Sequence, residues 1–143
     1  MVRQTLTGGC LCGGVRFELA GPIDVVNMCH CSRCRKRGGS AFATVVHAKL
    51  SQFRLVSGEE QIQLFEPDGW NARRFCNVCG SPLPGWDEED DHVGIPAGLF
   101  DEGMVTKPEL HIMIKDANLI MEEKEIFEIK DDIDQFEEFP VDW

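Results

Sequence analysis

Apolar residues recur at every second position along much of this chain, in short runs. In Gly14–Gly21, "GVRFELAG", Val15, Phe17 and Leu19 share one side while Arg16 and Glu18 take the other, which is the period of a half-buried strand. The runs "SAFATVVHA", "QFRLVSG", "EQIQLF", "HVGIPAGLF" and "ELHIMIK" read the same way, with turn chemistry at "SGEE", "EPDG" and "GSPLPG" between them. Six or more short strands with no long amphipathic helix predict an all-β domain of several small antiparallel sheets rather than a βαβ fold. Short helical turns are expected after Cys34 and in "DDIDQFEEF". The 143 residues suit a single domain, 1–143, with the chemistry-bearing motifs between about 8 and 83 and an acidic tail from about 119 to 143.

Charge narrows the partners. The 25 acidic side chains outnumber the 14 basic ones and leave a net charge of −11, so most of the surface would repel a phosphate backbone or anionic lipid. The start "MVRQTLTGGC" has no apolar core of signal-peptide length, and no run approaches the roughly 20 apolar residues of a membrane helix. A soluble, cytoplasmic protein with no nucleic-acid or membrane partner is expected.

The seven cysteines need another explanation than disulfides, which a reducing cytoplasm does not maintain and an odd count cannot pair completely. They fall into "CLC" (Cys10, Cys12), "CHCSRC" (Cys29, Cys31, Cys34) and "CNVC" (Cys76, Cys79). Residues i and i+2 of an extended segment point to the same side, and a C-x-x-C turn also converges its sulfurs, so each group can chelate. Structural zinc takes four protein ligands; catalytic zinc keeps one position for water or substrate. Cys10, Cys12, Cys76 and Cys79 are therefore assigned a structural zinc, and Cys29, Cys31 and Cys34 a second zinc with an open fourth position. A competing partition closes the central group with His47, His92 or His111. His30, between two cysteines on an extended segment, should point away from their metal and serve packing or support.

The cations Arg33, Arg35, Lys36 and Arg37 follow the central cysteines, against the acidic trend of the chain. They would offset the charge of three thiolates and lower thiol pKa values. Arginine also grips carboxylates bidentately, which makes Arg33, Arg35 and Arg37 candidate ligands for a small carboxylate-bearing substrate, with Arg73 and Arg74 as additions to the same face.

"GGCLCGGVRF", "CHCSRCRKRGGSAF" and "RRFCNVCGSPL" together resemble the glutathione-dependent formaldehyde-activating enzyme family, which includes centromere-protein-V-like proteins. The similarity runs from about 8 to 83 and returns at "PELHI" and "FEIKDDIDQFEEFP". It implies a zinc-dependent β-tent of small coiled sheets, with structural zinc on Cys10, Cys12, Cys76 and Cys79 and catalytic zinc on Cys29, Cys31 and Cys34. The implied activity is that of a carbon–sulfur lyase joining glutathione, as co-substrate, to formaldehyde, so that a small thiol and an aldehyde are the expected partners. Where family members commonly carry a loop of the type S-K-A-P-W, this chain has "KDANLIMEEKE". The alternative is a zinc-stabilised binding module without chemistry. A methionine-sulfoxide-reductase type of reaction would need a redox cysteine late in the chain, and none follows Cys79.

Overall fold

The computed structural model describes residues 5–66, 72–102, 110–113 and 115. In chain order its strands are β1 (Thr5–Gly9), β2 (Arg16–Ala20), β3 (Val25–Cys29), β4 (Ala43–Lys49), β5 (Phe53–Ser57), β6 (Ile62–Phe65), β7 (Arg73–Cys76), β8 (Gly85–Asp87), β9 (His92–Pro96) and β10 (Leu110–Ile112). One helix, α1 (Ser32–Gly38), lies between β3 and β4. The strands form a three-stranded sheet in the order β1-β2-β5, a five-stranded sheet β10-β3-β4-β9-β8, and a two-stranded ribbon β6-β7. The fold is all-β in small antiparallel sheets, as the alternation predicts, with one addition: β10 pairs parallel to β3.

The main core lies between the two larger sheets. Leu6, Phe17 and Leu19 of the first face Val26, Val46, Ala48, Val93 and Ile95 of the second, all buried. Full burial of such side chains contributes about 1.5–3 kcal/mol each. Phe17 also meets Phe100 edge-on, with ring centroids 5.6 Å apart. Because strand side chains alternate, the residues between these core positions must project from the other side of the five-stranded sheet. Asn27, Cys29, Val45, His47, Gly85 and Gly94 accordingly line a cavity there. A second, smaller core joins Cys10, Cys76, Val15 and Leu83.

Helix α1 starts at Ser32, ahead of Cys34 rather than after it. The Cys31 sulfur caps it by accepting from the Cys34 amide at 3.3 Å, so the metal motif is itself the helix start. Arg35, Lys36 and Arg37 occupy the last turn, where cations oppose the negative end of the helix dipole. Gly39, at φ 63°, ends the helix in the left-handed conformation. The helical turn expected in "DDIDQFEEF" and the acidic tail lie outside the described residues. Among the described residues, no helix is long and apolar enough to cross a membrane.

Candidate metal centres and the adjoining cavity

Two hairpin ends bring the first four cysteines together. Cys10 and Cys12 sit in the turn between β1 and β2, where the Gly13 amide donates to the Cys10 carbonyl at 3.0 Å. Cys76 ends β7 and Cys79 sits just beyond it, where the Gly80 amide donates to the Cys76 carbonyl at 2.8 Å. The two turns have the same device: Gly13 and Gly80 stand at φ 76° and 75°, a conformation that would strain a side chain. The four sulfurs all lie within 4.8 Å of one another. Cys10 Sγ is 3.4 Å from Cys12 Sγ and Cys12 Sγ is 3.8 Å from Cys76 Sγ. Four thiolates on a tetrahedron with zinc–sulfur bonds of about 2.3 Å would stand about 3.8 Å apart, so the spacing fits a zinc ion.

Cys29, Cys31 and Cys34 form the second cluster, also with sulfurs within 4.8 Å of one another. Cys29 ends β3 and is buried, while Cys31 and Cys34 at the helix start are half-buried. No histidine joins either cluster among the described residues. His47 and His92 bond to each other instead, at 2.8 Å. His111 bonds to His30 at 2.8 Å, and His30 is buried, in keeping with a packing role.

The thiols within each cluster pull apart in acidity. Burial and the neighbouring Cys31 and Cys29 thiols push Cys34 up to about 12. The Cys31 thiol goes down, because hydrogen bonds from Cys34 and its amide outweigh the opposing effect of burial. In the first cluster, the Ser81 hydroxyl and amide draw Cys79 down to about 5. The Gly14 amide favours the Cys12 thiolate, but the Cys10 thiol, desolvation and the other two thiols outweigh it and hold Cys12 near about 12. Crowded thiols cannot all ionise alone, and a divalent cation supplies the charge that lets them do so. The donor sets and spacings therefore suit zinc in both places.

Cys29 and Cys34 open onto the cavity of about 280 Å³ on the outer side of the five-stranded sheet. Its wall continues through Arg37, Arg73 and Arg74, which also line a neighbouring cavity of about 530 Å³ together with Arg33 and Lys36. Among the described residues, five cationic side chains and no carboxylate line this second space. Burial lowers the proton affinity of Arg37 and Arg74 without threatening their charge at neutral pH. Arg74 is fixed by stacking 3.7 Å above the Trp86 ring, and Arg37 by donating to the Leu83 carbonyl at 3.2 Å. Arg33 and Arg37 thus border a cavity. Arg35 borders neither, its Nε donating to the His30 carbonyl at 3.2 Å. Sequence reasoning did not single out Asn27, Trp86 or the paired role of His47 and His92, since only the strand register brings them to one wall.

The fold and these two sulfur clusters define a class of small all-β proteins whose thiols are fit to hold zinc. The chain belongs to the glutathione-dependent formaldehyde-activating enzyme family, whose sequence model matches residues 5–116. A protein of Colletotrichum graminicola, provisionally named as a glutathione-dependent formaldehyde-activating enzyme, is 28% identical over 81 residues. That match spans 57% of this chain but only 42% of the fungal protein. The crystal structure of a Rhodobacter sphaeroides protein superposes with a TM-score of 0.57 at 25% identity, covering 73% of this chain and 97% of that one.

Proposed function

We propose that this protein is a carbon–sulfur lyase that joins a small carboxylate-bearing thiol to an aldehyde, with glutathione and formaldehyde as the pair its family name suggests. In the overall reaction the thiol sulfur forms a bond to the carbonyl carbon, the C=O π bond breaks, and the carbonyl oxygen ends with the proton the thiol began with. On this reading Cys29, Cys31 and Cys34 hold the catalytic zinc, and Cys10, Cys12, Cys76 and Cys79 the structural one. A zinc ion on three thiolates supplies a soft, electron-rich position that favours the ionised form of a thiol over sharp acidification of water.

The observation that carries the proposal is the continuity between the three-cysteine cluster and the cationic cavity through Arg37, Arg73 and Arg74. A chain of net charge −11 gathers five cations where a substrate's carboxylates would lie. Charge-assisted bonds to Arg73 and Arg74 orient the ligand, and the enclosing wall limits water at the sulfur end. Arg33 and Lys36 add long-range attraction from the rim.

The test is a screen of glutathione and other thiols with formaldehyde, comparing the zinc-loaded protein with Cys31→Ser and with the uncatalysed rate. Acceleration by the wild type alone supports the proposal. Equal rates for both proteins at every thiol would leave a zinc-stabilised binding module as the better account.

A further inference from the structure

We propose that Asn27, held in place by His47 and His92, forms a subsite that binds the hydroxyl group on the carbon attached to the substrate sulfur. The inference rests on the thiol–aldehyde reading above and adds to it the part of the wall that meets the aldehyde-derived end. Asn27 is 9% exposed, and its Oδ1 is buried with no hydrogen-bond partner among the described residues. A buried acceptor left unmatched is costly, so its place in a cavity wall points to a ligand donor.

The other end of the same amide is engaged by a ring nitrogen. With the amide oriented as in the structure, Nδ2 donates to His47 Nε2 at 2.7 Å. His47 must then carry its proton on Nδ1, which donates to His92 Nε2 at 2.8 Å. The two rings stack with centroids 5.1 Å apart. Burial keeps His47 uncharged at neutral pH, aided by His92 and opposed by Asp24, which is the state this directional chain requires. Its consequence is that the amide is held with Oδ1, the atom without a partner among the described residues, as the acceptor offered to a ligand.

Strand geometry places that acceptor near the sulfur cluster. Asn27 and Cys29 are two positions apart on β3 and line the same cavity, so their Cα atoms are separated by about 6.6 Å along the strand. An S–CH2–OH group carries its hydroxyl two bonds from sulfur, within that span. Gly94, opposite His47 in the register, leaves the space beside the rings free: a Cβ there would stand 3.8 and 3.9 Å from the two imidazole Cε1 atoms. Asn27 would therefore distinguish a hydroxyl-bearing adduct from a thioether of the same shape, while His47 and His92 act as positioning residues.

Calorimetry on the zinc-loaded full chain with S-(hydroxymethyl)glutathione, formed by equilibrating glutathione with formaldehyde, and with S-ethylglutathione at the same formaldehyde concentration, a pair in which methyl replaces the hydroxyl on the carbon attached to sulfur, tests this. The wild type is expected to bind the hydroxyl compound about threefold to tenfold more tightly. Asn27→Leu should abolish the preference. Asn27→Asp should retain it, since one carboxylate oxygen can accept from a His47 ring protonated on Nε2 while the other keeps the acceptor facing the ligand. His92→Leu should erode it and His92→Gln, whose amide oxygen can still accept from His47 Nδ1, should restore it; a merely structural role for His92 would leave the ratio unchanged. Equal wild-type affinities for the two compounds overturn the subsite and leave the thiol reading standing. Binding of neither compound overturns both.

Discussion

Cys76→Ser and Cys31→Ser should differ sharply in their effect on stability, because the two cysteine clusters close chain loops of very different length. The first cluster ties Cys12 to Cys76 across 64 positions, whereas Cys29 and Cys34 are 5 positions apart. With closure entropy growing as (3/2)RT ln n, these loops correspond to about 3.7 and about 1.4 kcal/mol, a gap of roughly 2.3 kcal/mol in favour of the long clip. Packing widens it. Cys76 is 1% exposed in a core with Val15 and Leu83, and a serine hydroxyl there, shorter than the thiol and set back from Gln61 Oε1, which lies 3.8 Å from the Cys76 sulfur, adds about 1–3 kcal/mol if it is left unpaired. Cys31 is half-buried at a helix start, and serine there can still cap α1. Out of a total stability of roughly 5–15 kcal/mol, Cys76→Ser should leave the domain largely unfolded or lower its Tm by more than about 15 °C. Cys31→Ser should lower it by only about 5 °C while releasing one zinc per chain. Thermal melts combined with zinc counting on protein purified without added metal provide the assay. If Cys31→Ser melts as low as Cys76→Ser, or if the metal lost is the same in both, the division into a structural and a catalytic centre is wrong.

Arg73→Ala should weaken a carboxylate-bearing thiol by about 1–2 kcal/mol, or roughly five- to thirtyfold, with a smaller difference at high salt, as titration at two ionic strengths would show. Gly94→Ala should reduce ligand affinity without lowering the Tm, because its Cβ makes only ordinary contact, 3.4 Å from Val45 Cγ1, yet projects into the cavity; a loss of stability larger than the loss of affinity contradicts this. His47 titrates below its ordinary 6.5, chiefly through burial. Between its folded value and 6.5 the unfolded chain binds the extra proton, so stability is present in full above 6.5 and falls as pH drops through that interval. His47→Gln should flatten this slope in denaturant titrations, metal loss on acidification being common to both proteins. A gel-shift assay should find no tight, salt-sensitive binding of DNA or RNA, given the net charge of −11.

The alternation of Val15, Phe17 and Leu19 made β2 legible because one face meets the core and the other meets water. Strand β3, "VVNMC", did not announce itself, since Val26 enters the core while Asn27 and Cys29 face a cavity, so neither side is simply polar. Strand β8 has only three residues, too few for a period, and the parallel pairing of β10 depends on contacts more than 80 positions apart, as the His30–His111 bond shows. The cysteine groups were legible because chelation imposes local spacing. The cavity wall was not, because Asn27, His47 and His92 come from three strands and meet only through register. Arg35 shows the limit of sequence proximity: nearness to a metal motif does not decide which way a helical side chain points, and Arg35 Nε donates to the His30 carbonyl while the side chain borders neither of the two cavities described.

Strand β7 links the two halves of this chemistry. Its first residues, Arg73 and Arg74, line the cavity beside the three-cysteine cluster, while its last, Cys76, belongs to the four-cysteine centre. The strand is four residues long, pairs with β6 and bridges Pro82 through Phe75, and Leu64 and Phe65 of β6 are left exposed, so the ribbon has little apolar burial of its own to hold it. Its far end is secured by the sulfur cluster and by the Cys76 amide donating to the Ser81 carbonyl at 2.9 Å, and its middle by the Leu83 amide donating to the Arg74 carbonyl at 3.0 Å. Releasing the four-cysteine centre would therefore free the strand that carries the arginines, and a carboxylate-binding defect should accompany loss of that metal although none of its ligands borders the cavity. Loss of the three-cysteine metal should leave the arginines where they are. Affinity for a dicarboxylate with no thiol consequently separates the two centres: it should survive Cys31→Ser and disappear in Cys79→Ser at temperatures where that variant retains its β-sheet circular dichroism.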